Sequence, residues 1–371
     1  MEIFSGKKSG GGVDIDGTGE YVRKAQPQPQ SKAVQSAVHI PVLLKEAMDA
    51  LNIRRGNVYV DGTLGGGGFS EAILKKLDGE GFLIGIDRDF SAVKNVSSKF
   101  ETEFNNKNFK LFHSNFDKID EVIKTAGFAS IDGVVLDLGI SSIQLESNRG
   151  FSFTFNNEAS VDVSMATSEE NGEKKDAEAS LSSLSSLSSL SKLSSLDMRM
   201  DAGDERGLTA YDIINGYSER EIADIIYKYG DEKFSRRIAK SIIEYRKKNK
   251  SIETPYELAE IIRKAVYKGY GKFKRFKTDP ATKTFMALRI FVNEEYDSLS
   301  LFLSKLDGIL KKDGRAVIIS FHSGEDRIVK NFLKNNLNFK PLNKKPIVPT
   351  EEEIENNPRS RSAKLRAFYR D

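Results

Sequence analysis

The chain has 371 residues, and its 57 Lys and Arg against 54 Asp and Glu leave a net charge of +3, so any affinity for a polyanion must be local. It contains no cysteine and three histidines, His39, His113 and His322, which excludes a disulfide scaffold, thiol catalysis and Cys-ligated metal, and argues against a multi-histidine metal centre. No window approaches the 18 apolar residues of a membrane span and no signal-peptide core follows Met1, so the expectation is a soluble, cytoplasmic, mixed α/β protein.

Residues 1–37, with QPQPQSK at 26–32, lack hydrophobic periodicity and read as a disordered leader. From His39 onward helices and strands alternate. HIPVLLKEAMDAL (39–51) reads as a helix, NVYVD (57–61) as a strand, and a glycine cluster then opens a helix over 69–77. FLIGID (82–87), FKLFH (109–113) and DGVVLDLG (132–139) read as further strands, with a helix over 89–100. The pattern resumes with a helix near 296–311, the strand RAVIIS (315–320), a helix over 324–337 and a strand at KLRAFYR (364–370). Short apolar runs separated by helical stretches mark a mostly parallel sheet buried on both faces.

Two insertions interrupt this core. Residues 155–195 are serine-rich, with leucines every third position from Leu181 to Leu196. That period fits neither helix nor strand, so a disordered loop is expected. Residues 196–277 instead show helical periodicity in LTAYDIINGY, SEREIADIIYKYG, EKFSRRIAKSIIEYRKK and TPYELAEIIRKAV. In the last of these Thr254, Pro255 and Glu257 form an N-cap, N1 and capping-box signature. Between 233 and 283 there are 16 Lys and Arg against 5 Asp and Glu, and GKFKRFK (271–277) interleaves cations with Phe273 and Phe276. This pattern suits a nucleic-acid surface. The expected order is a leader (1–37), a core first part (38–154), the Ser/Leu insertion (155–195), a helical basic substrate-recognition domain (196–277) and a core second part (278–371).

The strongest chemical signal is the strand VYVD (58–61) running into GTLGGGG (62–68). Glycines let the backbone pass close to a ligand, and Asp87, about twenty residues on at the end of the next strand, is placed for a ribose. The loop fits a dinucleotide or S-adenosylmethionine. Gly65 and Gly67 are followed by Ser70 rather than a third glycine, and Asp61 suits a cationic cofactor better than an anionic one. Asp137 and Ser141, in the DLGISS string, should face the same crevice, with Gln144 one turn on.

At these residues the sequence resembles the MraW-like family of bacterial 16S ribosomal RNA cytosine-N4 methyltransferases. The resemblance rests on HIPVLLKEA (39–47), DGTLGGGG (61–68), GIDRD (85–89), DGVVLDLGISSIQL (132–145), RGFSF (149–153), LDMRMD (196–201), YGDEKFSRRIAKSI (229–242), TDPATKTFMALRIFVNEE (278–295), ISFH with EDRIVK (319–330), and NPRSRSAKLRAFYR (357–370). It implies a Rossmann-like methyltransferase core with an inserted helical domain, and S-adenosylmethionine as cofactor. Gly67, Gly68 and Phe69 would lie along its methionine end, Asp87 at the ribose and Phe116 near the adenine, with Asp137 and Gln144 completing the pocket. It further implies the small ribosomal subunit and its 16S rRNA as partner, with the methyl going to N4 of a cytidine in the decoding region. The chain departs from the family in Phe69, where His is usual, in Gly324, where Leu is usual, and in the long insertion between RGFSF and LDMRMD.

The chemistry asks for in-line positioning and for acceptors at the N4 hydrogens. Asp137 is the first candidate acceptor, and His322 is a candidate proton acceptor or a structural histidine. Phe151, Phe153 and Phe155 are candidates either to receive the base or to form local core.

Overall fold

The computed structural model describes residues 41–103, 108–140, 144, 149–152, 195–201, 203, 207–249, 251–268 and 278–371. The leader, nearly all of the Ser/Leu insertion, GKFKRFK, His39, Ser141, Phe153 and Phe155 lie outside these residues. Residues His39–Asp371 form one compact unit.

Seven strands build one sheet: β1 (Val58–Asp61), β2 (Phe82–Asp87), β3 (Phe109–His113), β4 (Ile131–Asp137), β5 (Leu310–Ser320), β6 (Phe339–Pro341) and β7 (Lys364–Arg370). Their order is β3-β2-β1-β4-β5-β7-β6. The first five run parallel, and β7 is antiparallel to both β5 and β6. This is a Rossmann-like, doubly wound sheet whose order reverses between β1 and β4, the place where such sheets open a crevice.

Strand periodicity explains how both faces are covered. Val58 and Val60 point to one face, where they meet α4 (Ile119–Ala126), α10 (Glu295–Ile309) and α11 (Ser323–Asn335). Tyr59 points to the other face, against α1 (Leu44–Leu51), α2 (Gly68–Leu77) and α3 (Phe90–Glu103). Alternate side chains therefore enter opposite layers, and every residue of β1 is buried.

The helical insertion has a core of its own. α5 (Ala210–Gly216), α6 (Glu219–Gly230), α7 (Ser235–Asn249) and α8 (Pro255–Tyr267) contribute Ile213, Ile226, Ile238, Ile242, Leu258 and Ile262. α9 (Thr282–Val292) adds Phe285 and Leu288 to the same cluster. The capping box read at Thr254 and Glu257 is present, with reciprocal bonds of 3.2 and 3.1 Å. Equivalent boxes start α5 at Thr209 and α6 at Ser218.

Several elements differ from the sequence reading. α4 was unassigned, although Ile119, Val122, Ile123 and Ala126 are all buried at helical spacing. α1 starts at Leu44 rather than 39, because Leu43 adopts a left-handed conformation (φ 53°) and gives its N–H to Glu353 Oε1 at 2.7 Å. Glu353 lies on α12 (Glu351–Asn356), which was also unassigned, as was the three-residue β6. β5 begins five residues earlier than expected, with exposed Lys311, Lys312 and Asp313 interrupting its register against β4.

The roots of the Ser/Leu insertion are clamped together. Gly150 (φ 83°) lies so close to Ser195 that a Cβ there would collide with the Ser195 carbonyl. Met198 N–H donates to the Arg149 carbonyl (2.7 Å), and the Arg149 guanidinium donates to the Met200 carbonyl (2.6 Å). Asn293 brackets the returning segment, donating to Met198 O at 2.7 Å and accepting from Met200 N at 2.8 Å. Because these bonds fix both ends, replacing residues 155–193 with a six-residue Gly/Ser linker should leave the melting midpoint unchanged or raise it by the equivalent of about 1–2 kcal/mol. A fall of several degrees in calorimetry would show that the insertion packs on the fold.

Candidate active site

The crevice forms where β1, β2 and β4 end side by side, each on an aspartate. Asp61 closes β1 and is fully buried; its Oδ2 accepts from Ser70 Oγ at 2.6 Å and its Oδ1 from Thr63 N at 3.2 Å. Asp87 closes β2 and braces the glycine loop, accepting from Gly65 N at 2.9 Å and from Asp89 N at 2.8 Å. Asp137 closes β4, with its N–H held by Thr63 Oγ1 at 2.7 Å. Its carboxyl differs from the other two, because the buried Oδ1 has no hydrogen-bond partner.

Three carboxyls gathered in one crevice hold their protons more tightly than free ones. Burial pushes Asp61 up to about 7, and the neighbouring Asp87 adds to this. Burial likewise raises Asp87 to about 6, partly offset by the Gly65 and Asp89 N–H groups. Asp137 rises to about 8 through burial and the charges of Asp61 and Glu325, with no hydrogen bond to oppose them. A carboxyl pushed toward its neutral form, with Oδ1 unpartnered, favours a hydrogen-bond donor or a cation beside it.

The glycines of the loop have separate causes. A Cβ on Gly62 would strike Leu136, and one on Gly68 would strike Pro41. Gly65 and Gly67 have positive φ, 48° and 80°. Gly66 has open space at its Cβ position, which is where a ligand can lie against the backbone. Gly68, read from the sequence as a cofactor residue, thus carries the contact with Pro41. Phe69 points into the core between α1 and α2, 3% exposed, so its main chain is the part that could meet a ligand.

Phe116 follows β3 in a short 3-10 turn and packs edge-on against Phe302 at 5.8 Å. It also lies beside Gly62, at the rim of the same crevice. Gln144 is buried and donates to Asp89 Oδ2 at 3.3 Å. Asp89 was missed by the sequence reading, although it stands in GIDRD. It is 2% exposed, caps Ser91 N at the start of α3 and pairs with Arg149 at 2.9 Å. One carboxylate therefore joins the cofactor-side strand β2 to the root of the insertion. Phe151 is buried in the helical cluster beneath Arg149, so of its two readings local core is the one the packing supports.

His322 lies just past β5, its Nε2 3.1 Å from Glu325 Oε1. Together with Glu295 these side chains bring ligand atoms within 4.8 Å of one another. Glu295, however, gives both oxygens to Arg289, at 2.8 Å each. The group therefore reads as an ion-pair network.

The MraW methylase family matches residues 36–186 and 188–371. A relative from Clostridium botulinum (strain Kyoto / Type A2), called Ribosomal RNA small subunit methyltransferase H, is 42% identical over 347 residues, spanning 88% of this chain and 97% of its own length. The chain belongs to the MraW methylase family. Family members of the same description from Caldicellulosiruptor bescii and Rickettsia africae are 40% and 38% identical, covering 88% and 89% of this chain and 97% of their own lengths. The break in the family match, at residue 187, falls inside the Ser/Leu insertion.

A raised carboxyl value in the fold costs stability as pH rises. Below about pH 4 Asp137 is neutral folded and unfolded, and as pH climbs toward 8 the unfolded chain ionises first. Asp137→Asn should therefore stabilise the ligand-free protein by on the order of 1 kcal/mol or more at pH 8 and by little at pH 4. Melting midpoints that move equally at both pH values would contradict the assignment.

Proposed function

We propose that the protein transfers a methyl group from S-adenosylmethionine to the exocyclic N4 of a cytidine in small-subunit ribosomal RNA. The observation that carries this reading is the buried, unpartnered Oδ1 of Asp137, set beside two further carboxyls at the switch point of the sheet. Such a donor set suits a ligand with a sulfonium, an amino group and ribose hydroxyls, and it opposes a pyrophosphate. The relatives' name supplies the substrate class.

Asp87 would take the ribose hydroxyls, Phe116 would flank the adenine, and the main chain from Gly65 to Phe69 would follow the methionine portion. Gln144 would close the pocket through Asp89. The cofactor, when bound, supplies a methyl already activated by the sulfonium. What remains for the chain is alignment, together with a site for the charge that develops on N4. Asp137 offers an acceptor for the N4 hydrogens as that nitrogen becomes tetrahedral. It works in its ionised form, which a neighbouring positive charge favours.

The basic helix α7 supports an RNA partner once its cations are sorted. Arg237 lies over the Phe234 ring at 4.3 Å and donates to Val266 O, while Arg246 staples the Ile214 and Tyr217 carbonyls at 2.8 Å each. Those two are structural. Arg236, Lys240, Lys247 and Lys248 are exposed, and phosphate contacts need cations of that kind. Tyr227 on α6, 62% exposed, adds a flat apolar surface to the same lobe.

The decisive assay uses unmethylated small subunits, naked rRNA and DNA with methyl-labelled cofactor, followed by nucleoside mass spectrometry. Label should appear in N4-methylcytidine from subunits, and Asp137→Asn should lower transfer by roughly a hundredfold or more. Label in another nucleoside, or none despite cofactor binding, would reject the reading. Arg236→Glu with Lys240→Glu should raise KM for subunits and flatten its salt dependence, leaving cofactor affinity unchanged.

A further inference from the structure

The turn after β5 carries a side-chain group that the methyl-transfer reading leaves without a task. The His322 side chain is 11% exposed and sits between two partners. Its Nδ1 faces the hydroxyl of Tyr296, on α10, at 3.4 Å. Its Nε2 lies 3.1 Å from Glu325 Oε1, an ion-pair contact short of a well-aligned hydrogen bond. Glu325 is itself buried, and its other oxygen accepts from Phe321 N at 2.9 Å.

Tyr296 fits only because residue 324 is glycine: a Cβ at that position would overlap the Tyr296 hydroxyl and press on its ring. Gly324 stands where the family resemblance leads one to expect leucine, so the missing side chain and the tyrosine form a matched pair. The tyrosine also reaches the helical insertion, its ring tilted 38° against Tyr229 of α6 at 5.6 Å.

The protons follow from the charges. Burial alone would raise the Glu325 carboxyl, but His322 and Arg289 hold it below its usual value. With Glu325 ionised, a neutral imidazole at this distance keeps its proton on Nε2, the nitrogen that faces the carboxylate. Tyr296 is pushed up to about 12 by burial and by Glu325 and Glu295, against Arg289 and Arg327. It keeps its proton, and its hydroxyl faces Nδ1 at 3.4 Å.

We propose that Tyr296 is a positioning residue, which holds His322 as the Nε2–H tautomer against Glu325, with Gly324 as the gap that admits its hydroxyl. Through Glu325 this arrangement reaches the crevice. Leu138 N, next to Asp137, is bonded to Ile319 O at 2.9 Å, and Gly139 lies against the Phe321 ring. The Glu325 charge is one of those that hold the Asp137 carboxyl high. Fixing His322 therefore fixes the field at the group proposed to meet N4, a role that rests on the methyltransferase reading.

With three histidines in the chain, nitrogen-15 imidazole spectra can be assigned using a His322→Asn variant. The wild-type ring should show a protonated Nε2 and an unprotonated Nδ1 near neutral pH. Tyr296→Phe keeps the ring and removes the hydroxyl. It should shift the Nδ1 signal and slow methyl transfer to subunits roughly three- to tenfold at saturating substrate, the worth of one neutral hydrogen bond, with KM for the cofactor unchanged. Gly324→Ala keeps the hydroxyl but displaces it, and should give the same spectral change. A wild-type ring protonated on Nδ1, or a spectrum indifferent to both variants, would overturn the tautomer assignment. A shifted spectrum with an unchanged transfer rate would overturn the positioning role. The spectra need no turnover, so absence of N4-methylcytidine from every sample would count against the methyltransferase reading and leave the tautomer to be decided separately.

Discussion

Neighbouring parallel strands bring the side chains at their C-terminal ends close together, and here three of those side chains are acidic. Asp61 lies between Gly85 of β2 and Val135 of β4 in the sheet register, so it is close to both Asp87 and Asp137. The fold tolerates this crowding by giving Asp61 a serine hydroxyl and Asp87 two backbone N–H groups. Asp137 receives neither. The resulting imbalance selects for a positively charged or hydrogen-bond-donating ligand at the end of β4.

The second constraint is continuity across a long interruption. RGFSF and LDMRMD are separated by the insertion, yet Arg149 and Asn293 rejoin them by bonds to main-chain carbonyls and amides. Arg149 also reaches Asp89, and Arg88 donates to the Asn293 carbonyl at 2.8 Å. The side chains that close the insertion are thus the ones that tie β2 to α9. A change in insertion length need not be felt in the crevice, because the ends are held by local geometry.

Much of this was legible in the sequence because it is local. Five parallel strands, the Thr254 capping box and the helices between 208 and 266 follow from periodicity and end signals that span a dozen residues or fewer. What was not legible depends on partners far away in the chain. The left-handed Leu43 needs Glu353, more than three hundred residues later, and β6 is three residues that pair only because β7 is beside them. The glycine run is instructive: the family resemblance put Gly67 and Gly68 along a cofactor. In the structure Pro41 accounts for Gly68 and Leu136 for Gly62, while positive φ accounts for Gly65 and Gly67. Asp89 and Glu325 were overlooked for the same reason, since an acidic residue at the start of a helix looks like an ordinary cap until its partner is seen.

The most direct measurement is the number of protons exchanged when cofactor binds, obtained by titration calorimetry in buffers of differing ionisation enthalpy near pH 7. If the crevice carboxyls are partly neutral when empty, S-adenosylmethionine should expel protons on binding. Its demethylated product, which lacks the sulfonium charge, should expel fewer, and Asp137→Asn should narrow the difference. Equal exchange for the two ligands, or net uptake with S-adenosylmethionine, would contradict the account.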